Sequence, residues 1–167
     1  MFRFLLVFAL LLAAFYLVIA FVPFYGRHFV PRYHHLIAEV SGLLLTSLGQ
    51  EVVATGASIC STQFTVSIVS GCDAVEPIAL FVCAVLAFPA PVFRRILGAV
   101  LGTSLLWISN LARIVSLFLI GRYSPRIFEV VHVEVWQALF VFLALLLWIV
   151  WLLWATRVPR AANRPAC

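Results

Sequence analysis

The chain has 167 residues, of which 65% are hydrophobic and 10% are charged, and its mean hydropathy is +1.17. A soluble domain is about half apolar and about a quarter charged, so these figures exclude an ordinary soluble domain, a disordered chain and a small disulfide scaffold. The net charge of +5 would suggest nucleic acid in a soluble protein, but in so apolar a chain it is typical of cytoplasmic membrane flanks. We therefore expect an integral membrane protein whose surroundings are lipid, with no nucleic acid partner.

The first predicted element is an apolar stretch over about residues 4–24, which has the length of about 20 residues that a helix needs to cross a bilayer. Its position is that of a signal peptide, but no cleavage motif of small residues follows within reach of Ala20. We therefore expect it to be a retained membrane anchor and the first of four transmembrane helices.

The loop that follows is long enough to form structure of its own outside the membrane. Between residues 30 and 48, Leu36, Val40 and Leu44 recur with the spacing of one helix face, which predicts an extracytoplasmic amphipathic helix. Between residues 51 and 69, apolar side chains alternate with a break near Ser61. This period of two predicts a β-hairpin lying over the helices.

The second predicted span, about residues 74–90, is the shortest and begins just after Cys72. Asp73 follows the cysteine and suits the start of a helix, whose free N–H groups favour acidic side chains. A helix N-terminus also favours the thiolate form of a cysteine, which is its nucleophilic form. Cys72 is therefore a candidate nucleophile, whereas Cys83 and Cys167 are interpreted as small apolar residues.

The third predicted span, about residues 96–120, contains Arg113 within an apolar helix, where a charged side chain costs about 3 kcal/mol to insert. Ser109, Asn110 and Ser116 lie three or four residues away and share its helix face. A lone arginine can extend its long side chain to the membrane surface. A polar stripe around it favours a functional site instead.

The fourth predicted span covers about residues 133–155, and His132 precedes it. Glu129 lies one turn before His132 and Glu134 follows closely, so either acid is a candidate to orient the imidazole ring. A histidine changes its protonation near neutral pH and is the commonest general acid and base. His132 is therefore a candidate for proton transfer at the end of this span.

The arginines decide the expected orientation, because cytoplasmic loops carry the excess of positive charge. The short segments on one side contain six of them: Arg3, Arg94, Arg95, Arg157, Arg160 and Arg164. The longer segments on the other side contain Arg27, Arg32, Arg122 and Arg126. Both termini are therefore expected in the cytoplasm, and Cys72, Arg113 and His132 then fall on the outward side.

Three histidines near the start of the outer loop, His28, His34 and His35, are a weak candidate for a metal site. Their spacing matches no common ligand pattern, and no cysteine or carboxylate completes the set. We expect neither a metal ion nor a cofactor.

Three short motifs together resemble those of the exosortase/archaeosortase family of membrane transpeptidases. They are Ser70–Asp73, Asn110–Ile114 and the segment Phe128–His132. Two further segments, Phe88–Pro91 and Val131–Gln137, are most similar to the exosortase H subgroup. The resemblance covers about residues 49–148. It implies an all-α fold in which residues 1–167 form one membrane-embedded domain. It also implies that the protein is located in a bacterial cytoplasmic (inner) membrane.

The resemblance also implies a catalytic site. By it, Cys72 is the nucleophile, Arg113 stabilises the charge of the oxyanion or of the thiolate, and His132 is the general acid and base. The substrates are secreted proteins that end in a short motif, a transmembrane helix and a basic tail. The enzyme cuts at the motif and transfers the new carboxyl end to an acceptor that the sequence does not identify, a lipid-linked molecule being one candidate. One departure is Ala74, where many family members have glycine.

Two other functions stay open at this point. Cys60 and Cys72 both lie on the outward side, so a four-helix thiol oxidoreductase with a reversible disulfide is one alternative. It requires Cys60 to be as necessary as Cys72. The other is a membrane scaffold or transporter subunit, in which the stripe around Arg113 serves helix packing. That function tolerates the loss of Cys72.

Overall fold

The computed structural model describes residues 2–157, and most of them are helical. The α-helices in this part are α1 (Phe2–Phe21), α2 (Val30–Ser47), α3 (Val75–Ala87), α4 (Val92–Tyr123), α5 (Phe128–Val130) and α6 (Trp136–Ala155). Single turns of π-helix at Tyr25–Phe29 and Val131–Val135 precede α2 and α6, and a 3₁₀ turn at Pro125–Ile127 precedes α5. Three short strands lie between α2 and α3: β1 (Val53–Thr55), β2 (Ser58–Cys60) and β3 (Thr65–Ser67).

Three helical segments among the described residues are long and apolar enough to cross a membrane: α1, α4 and the stretch Pro125–Ala155. They correspond to the first, third and fourth predicted spans. The second predicted span is the 13-residue helix α3, which is about 20 Å long against about 30 Å of bilayer core. The helix ends there because Phe88 is extended, as the residue before a proline prefers to be.

Helix α1 has no buried residue and packs against α3, whereas α3, α4 and α6 form a bundle around one hydrophobic core. Its largest buried side chains are Phe81, Leu106, Phe140 and Trp151. Gly102 lets α3 approach α4 closely, since a Cβ atom at that position would overlap the ring of Phe81. Helix α4 has 32 residues, whereas the neighbouring helix α3 has 13. Only the first part of α4 therefore packs in this bundle, and its second part extends beyond the end of α3.

The second part of α4 packs against α2 and the small sheet, and we call this group of elements the cap. Its core includes Ile37 of α2, Ile59 of β2 and Phe118 of α4. Helix α2 runs in the same direction as α4, since Tyr33 and Trp107 line one cavity and Arg122 Nη1 donates a hydrogen bond to Gln50 Oε1 at 2.6 Å. The predicted amphipathic helix thus lies alongside α4.

The sheet is a three-stranded antiparallel meander in the order β1-β2-β3, where the alternation over residues 51–69 predicted a two-stranded hairpin. Ile59 pairs with Ala54 on one side and with Val66 on the other. The prediction missed β2 because the polar Ser61 follows Ile59 by two residues, so the apolar alternation stops there, whereas at β3 it continues through Phe64, Val66 and Ile68. Arg160, Arg164 and Cys167, which were assigned to the cytoplasmic tail, lie outside the described residues.

Ala74 connects the loop at Cys72 to α3 in a left-handed backbone conformation, with φ of 60°. Among the described residues it is the one non-glycine residue with positive φ, and its side chain is buried. A left-handed conformation costs a residue with a Cβ atom about 1–2 kcal/mol. A glycine at this position would adopt the conformation freely, whereas Ala74 adopts it at a cost.

We expect Ala74→Val to lower the free energy of unfolding by about 3 kcal/mol, because a β-branched side chain tolerates this conformation poorly and the site is full. Ala74→Gly should change it by less than about 1 kcal/mol, since relief of strain offsets the lost methyl contact. Thermal unfolding of the protein in detergent measures both. Ala79→Val is the matched control, because Ala79 is also buried but lies inside helix α3. If the Ala74→Val variant were as stable as the wild type, the backbone at residue 74 would not be strained.

Candidate active site

Cys72 lies in the tight loop between β3 and α3. Its backbone N–H donates to the carbonyl oxygen of Val69 at 2.9 Å, and Gly71 before it has φ of 92°, a conformation that favours glycine. Asp73 Oδ1 accepts a hydrogen bond from the Val75 N–H at 3.2 Å and so caps the start of α3. The sulfur of Cys72 is therefore held close to a helix N-terminus while staying partly exposed.

The His132 side chain contacts this sulfur, although it lies 60 residues farther along the chain. Its Nε2 atom lies 3.2 Å from Cys72 Sγ, which is hydrogen-bond distance for a thiol and an imidazole. The ring belongs to the π-helical turn before α6, and it packs against Phe128, with 5.6 Å between ring centroids. A proton can pass between the two side chains without any movement of the backbone.

Arg113 reaches the same sulfur from the middle of α4. Its Nη2 atom lies 3.8 Å from Cys72 Sγ, and its Cζ atom lies 5.6 Å from the centroid of the Phe140 ring. The side chain is 5% exposed, and no carboxylate of the described residues forms an ion pair with it. A buried guanidinium without a carboxylate partner is suited to stabilise negative charge that forms on a neighbouring atom.

Cys72, Arg113 and His132 open into a cavity of about 340 Å³. The residues Phe64–Val69, which include β3, form one wall of the cavity. Three residues far apart in the chain thus face one partly open cavity, although they come from a loop, a long helix and a π-helical turn. Such a space holds a substrate next to the sulfur.

The other residues predicted to support the site do not meet at the sulfur. Ser109 Oγ donates to the Leu105 carbonyl at 2.8 Å and Ser116 Oγ to the Arg113 carbonyl at 2.8 Å, so both hydroxyls bond to their own helix. Asn110 is fully buried, and neither atom of its amide group has a partner among the described residues. Glu129 and Glu134 are exposed, and neither forms an ion pair with His132 in the described part of the chain.

A buried pair beside the loop was missed by the sequence analysis. His34 Nε2 lies 3.0 Å from Asp73 Oδ2, and the Tyr33 hydroxyl donates to the Asp73 carbonyl at 3.0 Å. Burial, and then the charge of Asp73, raises the pKa of Tyr33 to about 12, so its hydroxyl keeps the proton that it donates. The two bonds fix the residue after Cys72 to α2. No sequence spacing signals this contact, because the partners are about 40 residues apart.

The family model described as transmembrane exosortase (Exosortase_EpsH) matches residues 2–151. The chain belongs to the transmembrane exosortase family. The resemblance seen in the three motifs is thereby confirmed, and the match includes Cys72, Arg113 and His132. Searches of curated proteins and of solved structures find no match to this exosortase.

The remaining cysteines of this exosortase within the described residues are separate from the cavity. Cys60 lies on β2 and Cys83 is buried in α3, and both are free thiols, as is Cys72. His34 and His35, two of the three histidines considered for a metal site, have different partners, since His35 Nδ1 lies 3.0 Å from the carbonyl oxygen of Gly56. The arrangement at Cys72 thus combines a thiol, a proton acceptor and a cation, the groups that acyl transfer requires.

Proposed function

We propose that this protein is a cysteine transpeptidase that removes the C-terminal sorting tail of secreted proteins and transfers their new carboxyl end to an acceptor. The observation that carries the proposal is the contact of Cys72 Sγ with His132 Nε2 at 3.2 Å and with Arg113 Nη2 at 3.8 Å. Membership of the exosortase family supports the same activity. Ser109 and Ser116 bond to their own helix, and the proposal gives no step of the reaction to these serines, to Asn110 or to Glu129.

In the first half of the reaction, His132 Nε2 takes the proton of Cys72, and the sulfur attacks the carbonyl carbon of the scissile peptide bond. The carbonyl oxygen becomes an oxyanion, which the guanidinium of Arg113 stabilises in a poorly hydrated site. The intermediate collapses when the C–N bond breaks and His132 returns the proton to the leaving amine. The products are a thioester on Cys72 and the free tail.

In the second half, a nucleophilic group of the acceptor attacks the thioester. His132 takes the proton of this nucleophile, the C–S bond breaks, and Cys72 leaves as a thiolate that regains its proton from His132. An amine or a hydroxyl group on a lipid-linked acceptor completes the transfer. Water in the same place gives hydrolysis, so access of water to the 340 Å³ cavity decides between the two outcomes.

The proposed placement in the cytoplasmic membrane follows from the two ends of α4. At its start, Arg94 donates to the Ala155 carbonyl at 2.7 Å and Arg95 to the Leu86 carbonyl at 3.2 Å, so two arginines and two helix C-termini share one end of the bundle. This is the cytoplasmic end. About 20 residues of α4 then cross the roughly 30 Å bilayer core and end near Arg113.

This placement puts the catalytic cavity at the outer surface of the membrane and the cap beyond it. Helix α3 then accounts for a fourth, shortened crossing that starts at the depth of Cys72. A substrate with a motif just outside its own transmembrane helix presents the motif at the same depth. The basic end of that substrate stays in the cytoplasm until its tail is released.

The test follows a secreted protein with such a tail in cells of the source organism, by mass. We expect the tail to stay on in cells that lack this gene and to be removed when wild-type protein or the Cys60→Ser variant is supplied. Removal of the tail in the absence of the gene would refute the proposal. Failure of Cys60→Ser to restore processing would favour the thiol oxidoreductase instead, because a reversible disulfide needs both cysteines.

A further inference from the structure

The strand β3 is an edge strand that borders the catalytic cavity. It pairs with β2 along one side only, since the sheet order is β1-β2-β3. The cavity that contains Cys72 and His132 is lined by every residue from Phe64 to Val69, whereas no residue of β1 or β2 lines it. The side of β3 without a strand partner therefore borders the space beside the nucleophile.

The hydrogen bonds of the sheet show which backbone groups face this space. Ser61 N–H donates to the Phe64 carbonyl at 2.9 Å, and Ile68 N–H donates to the Ala57 carbonyl at 2.8 Å. In an antiparallel pair, the bonding direction alternates from residue to residue, so residues 64, 66 and 68 bond to β2. The N–H and C=O groups of Thr65 and Ser67 consequently point to the free edge. Both residues are exposed.

We propose that the substrate segment around the scissile bond binds in extended form as an additional strand on β3, hydrogen-bonded to the main chain of Thr65 and Ser67. This inference rests on the proposed transpeptidase function and names how its substrate is held. Main-chain pairing with an exposed strand edge is a common way to bind an extended peptide. Because Thr65, Ser67 and Cys72 line the same cavity, a peptide paired with this edge lies in the space next to the sulfur.

Residues of α4 and α5 supply side-chain contacts in this cavity. Ile114 and Leu117 of α4 and Phe128 of α5 are apolar and line the same space. Side chains of a bound strand alternate between two faces, so every second residue of the substrate points toward this apolar wall. The site therefore selects substrates with apolar side chains at alternate positions and discriminates little among side chains at the positions between them.

The edge of β3 is short. An exposed strand edge risks pairing with any other chain, and proteins keep such edges short or covered. Here the strand has only three residues, and the loop that contains Cys72 follows it. Phe64, just before the strand, packs its ring against Phe128 at 5.6 Å and against Phe118 at 6.0 Å between ring centroids, which holds this end of the strand on the helices.

The first test changes the edge. In Ser67→Pro, the N–H that faces the cavity is lost while the bonds of Val66 to β2 are kept. We expect about a 10-fold rise in KM, with kcat changed by less than about 2-fold, as for one lost hydrogen bond that holds the substrate. The assay uses the full-length protein in detergent and a synthetic peptide that spans the processing site and tail of a secreted protein cleaved by wild-type cells.

Two variants serve as controls. Ser58→Ala on β2 removes the hydroxyl that lies 2.9 Å from Ser67 Oγ, leaves β3 itself unchanged, and should keep the wild-type KM. Ala54→Pro makes the same backbone change on the outer edge of β1, because Val53 and Thr55 are the residues of β1 that bond to β2. An equal KM for Ser67→Pro and Ala54→Pro would overturn the inference.

A second test leaves the enzyme unchanged and alters the peptide, so it holds even if Ser67→Pro does not fold. Single N-methyl groups are placed in turn on each amide near the scissile bond. We expect KM to rise about 10-fold at alternate positions and to stay constant between them. A uniform response along the peptide would overturn strand pairing. Cleavage of the unmodified peptide by the wild type is the separate measure of the proposed function, and its absence would refute that function instead.

Discussion

A Cys72→Ala variant is expected to leave the sorting tail uncut, with a loss of at least about 1,000-fold in the rate of tail removal. The reason is that, in the proposed mechanism, this sulfur forms the bond to the substrate, and it is the atom that both His132 and Arg113 contact. A methyl group offers no electron pair for attack. The neighbouring side chains can still bind the substrate, so the Cys72→Ala variant should form a complex with the secreted protein that still carries its tail.

The measurement is the mass of a tail-bearing secreted protein, taken over time in cells that express each variant. Cys83→Ala is the matched control, because Cys83 is a buried free thiol on α3 outside the catalytic cavity, and its loss should preserve processing. Labelling of Cys60 with a thiol reagent, equal in the variant and the wild type, verifies that Cys72→Ala folds. Normal tail removal by Cys72→Ala would exclude this cysteine as the nucleophile and favour a scaffold.

Replacement of Arg113 by leucine should reduce tail removal by about 100- to 1,000-fold while leaving the protein as stable as before or more so. Activity falls because the oxyanion loses its cationic partner. Stability does not fall because the guanidinium is 5% exposed and has no carboxylate partner among the described residues, so an apolar side chain removes a desolvation cost. Arg113→Lys keeps the charge but not the planar group, and we expect an intermediate rate.

Opposite changes in activity and stability separate catalysis from helix packing. Rates are measured as above, and thermal unfolding is measured in detergent. Arg122→Leu is the matched control on the same helix, since Arg122 bonds to Gln50, neither residue lines the cavity, and its loss should preserve the rate. A scaffold in which Arg113 packs helices predicts the reverse, namely that Arg113→Leu unfolds or fails to assemble. That result would contradict the assigned role.

The sequence predicts where the three catalytic candidates meet because each prediction depends on one helix at a time. Apolar length places the spans, the arginines orient them, and Cys72, Arg113 and His132 then fall at the same ends. Helix α3 shows the limit of this reasoning. Its 13 residues are too few for an ordinary crossing, and only packing against Gly102 of α4 shows where it lies.

Contacts between distant segments account for what the sequence analysis missed. The bond between His34 and Asp73 joins two elements that are far apart in the chain, so no periodic pattern predicts it. Without that partner, the sequence shows His34 only as one of three neighbouring histidines, which is why it is a weak candidate for a metal site. In the polar stripe around Arg113, by contrast, the sequence pattern predicts contacts that the structure does not contain. Ser109 and Ser116 share its helix face, but a hydroxyl inside a helix readily bonds to its own backbone, and both do so.

The π-helical turn Val131–Val135 sets the rotational phase between two residues that the site uses in different ways. His132 lies within the turn and meets the sulfur, whereas Phe140 lies beyond it on α6 and stacks against Arg113. A π-helical turn contains one more residue than the α-helical turn it replaces. Without that residue, an unbroken helix would rotate His132 by about 100° relative to Phe140, and one of the two would face the lipid. This inserted residue therefore lets His132 contact Cys72 while Phe140 contacts Arg113.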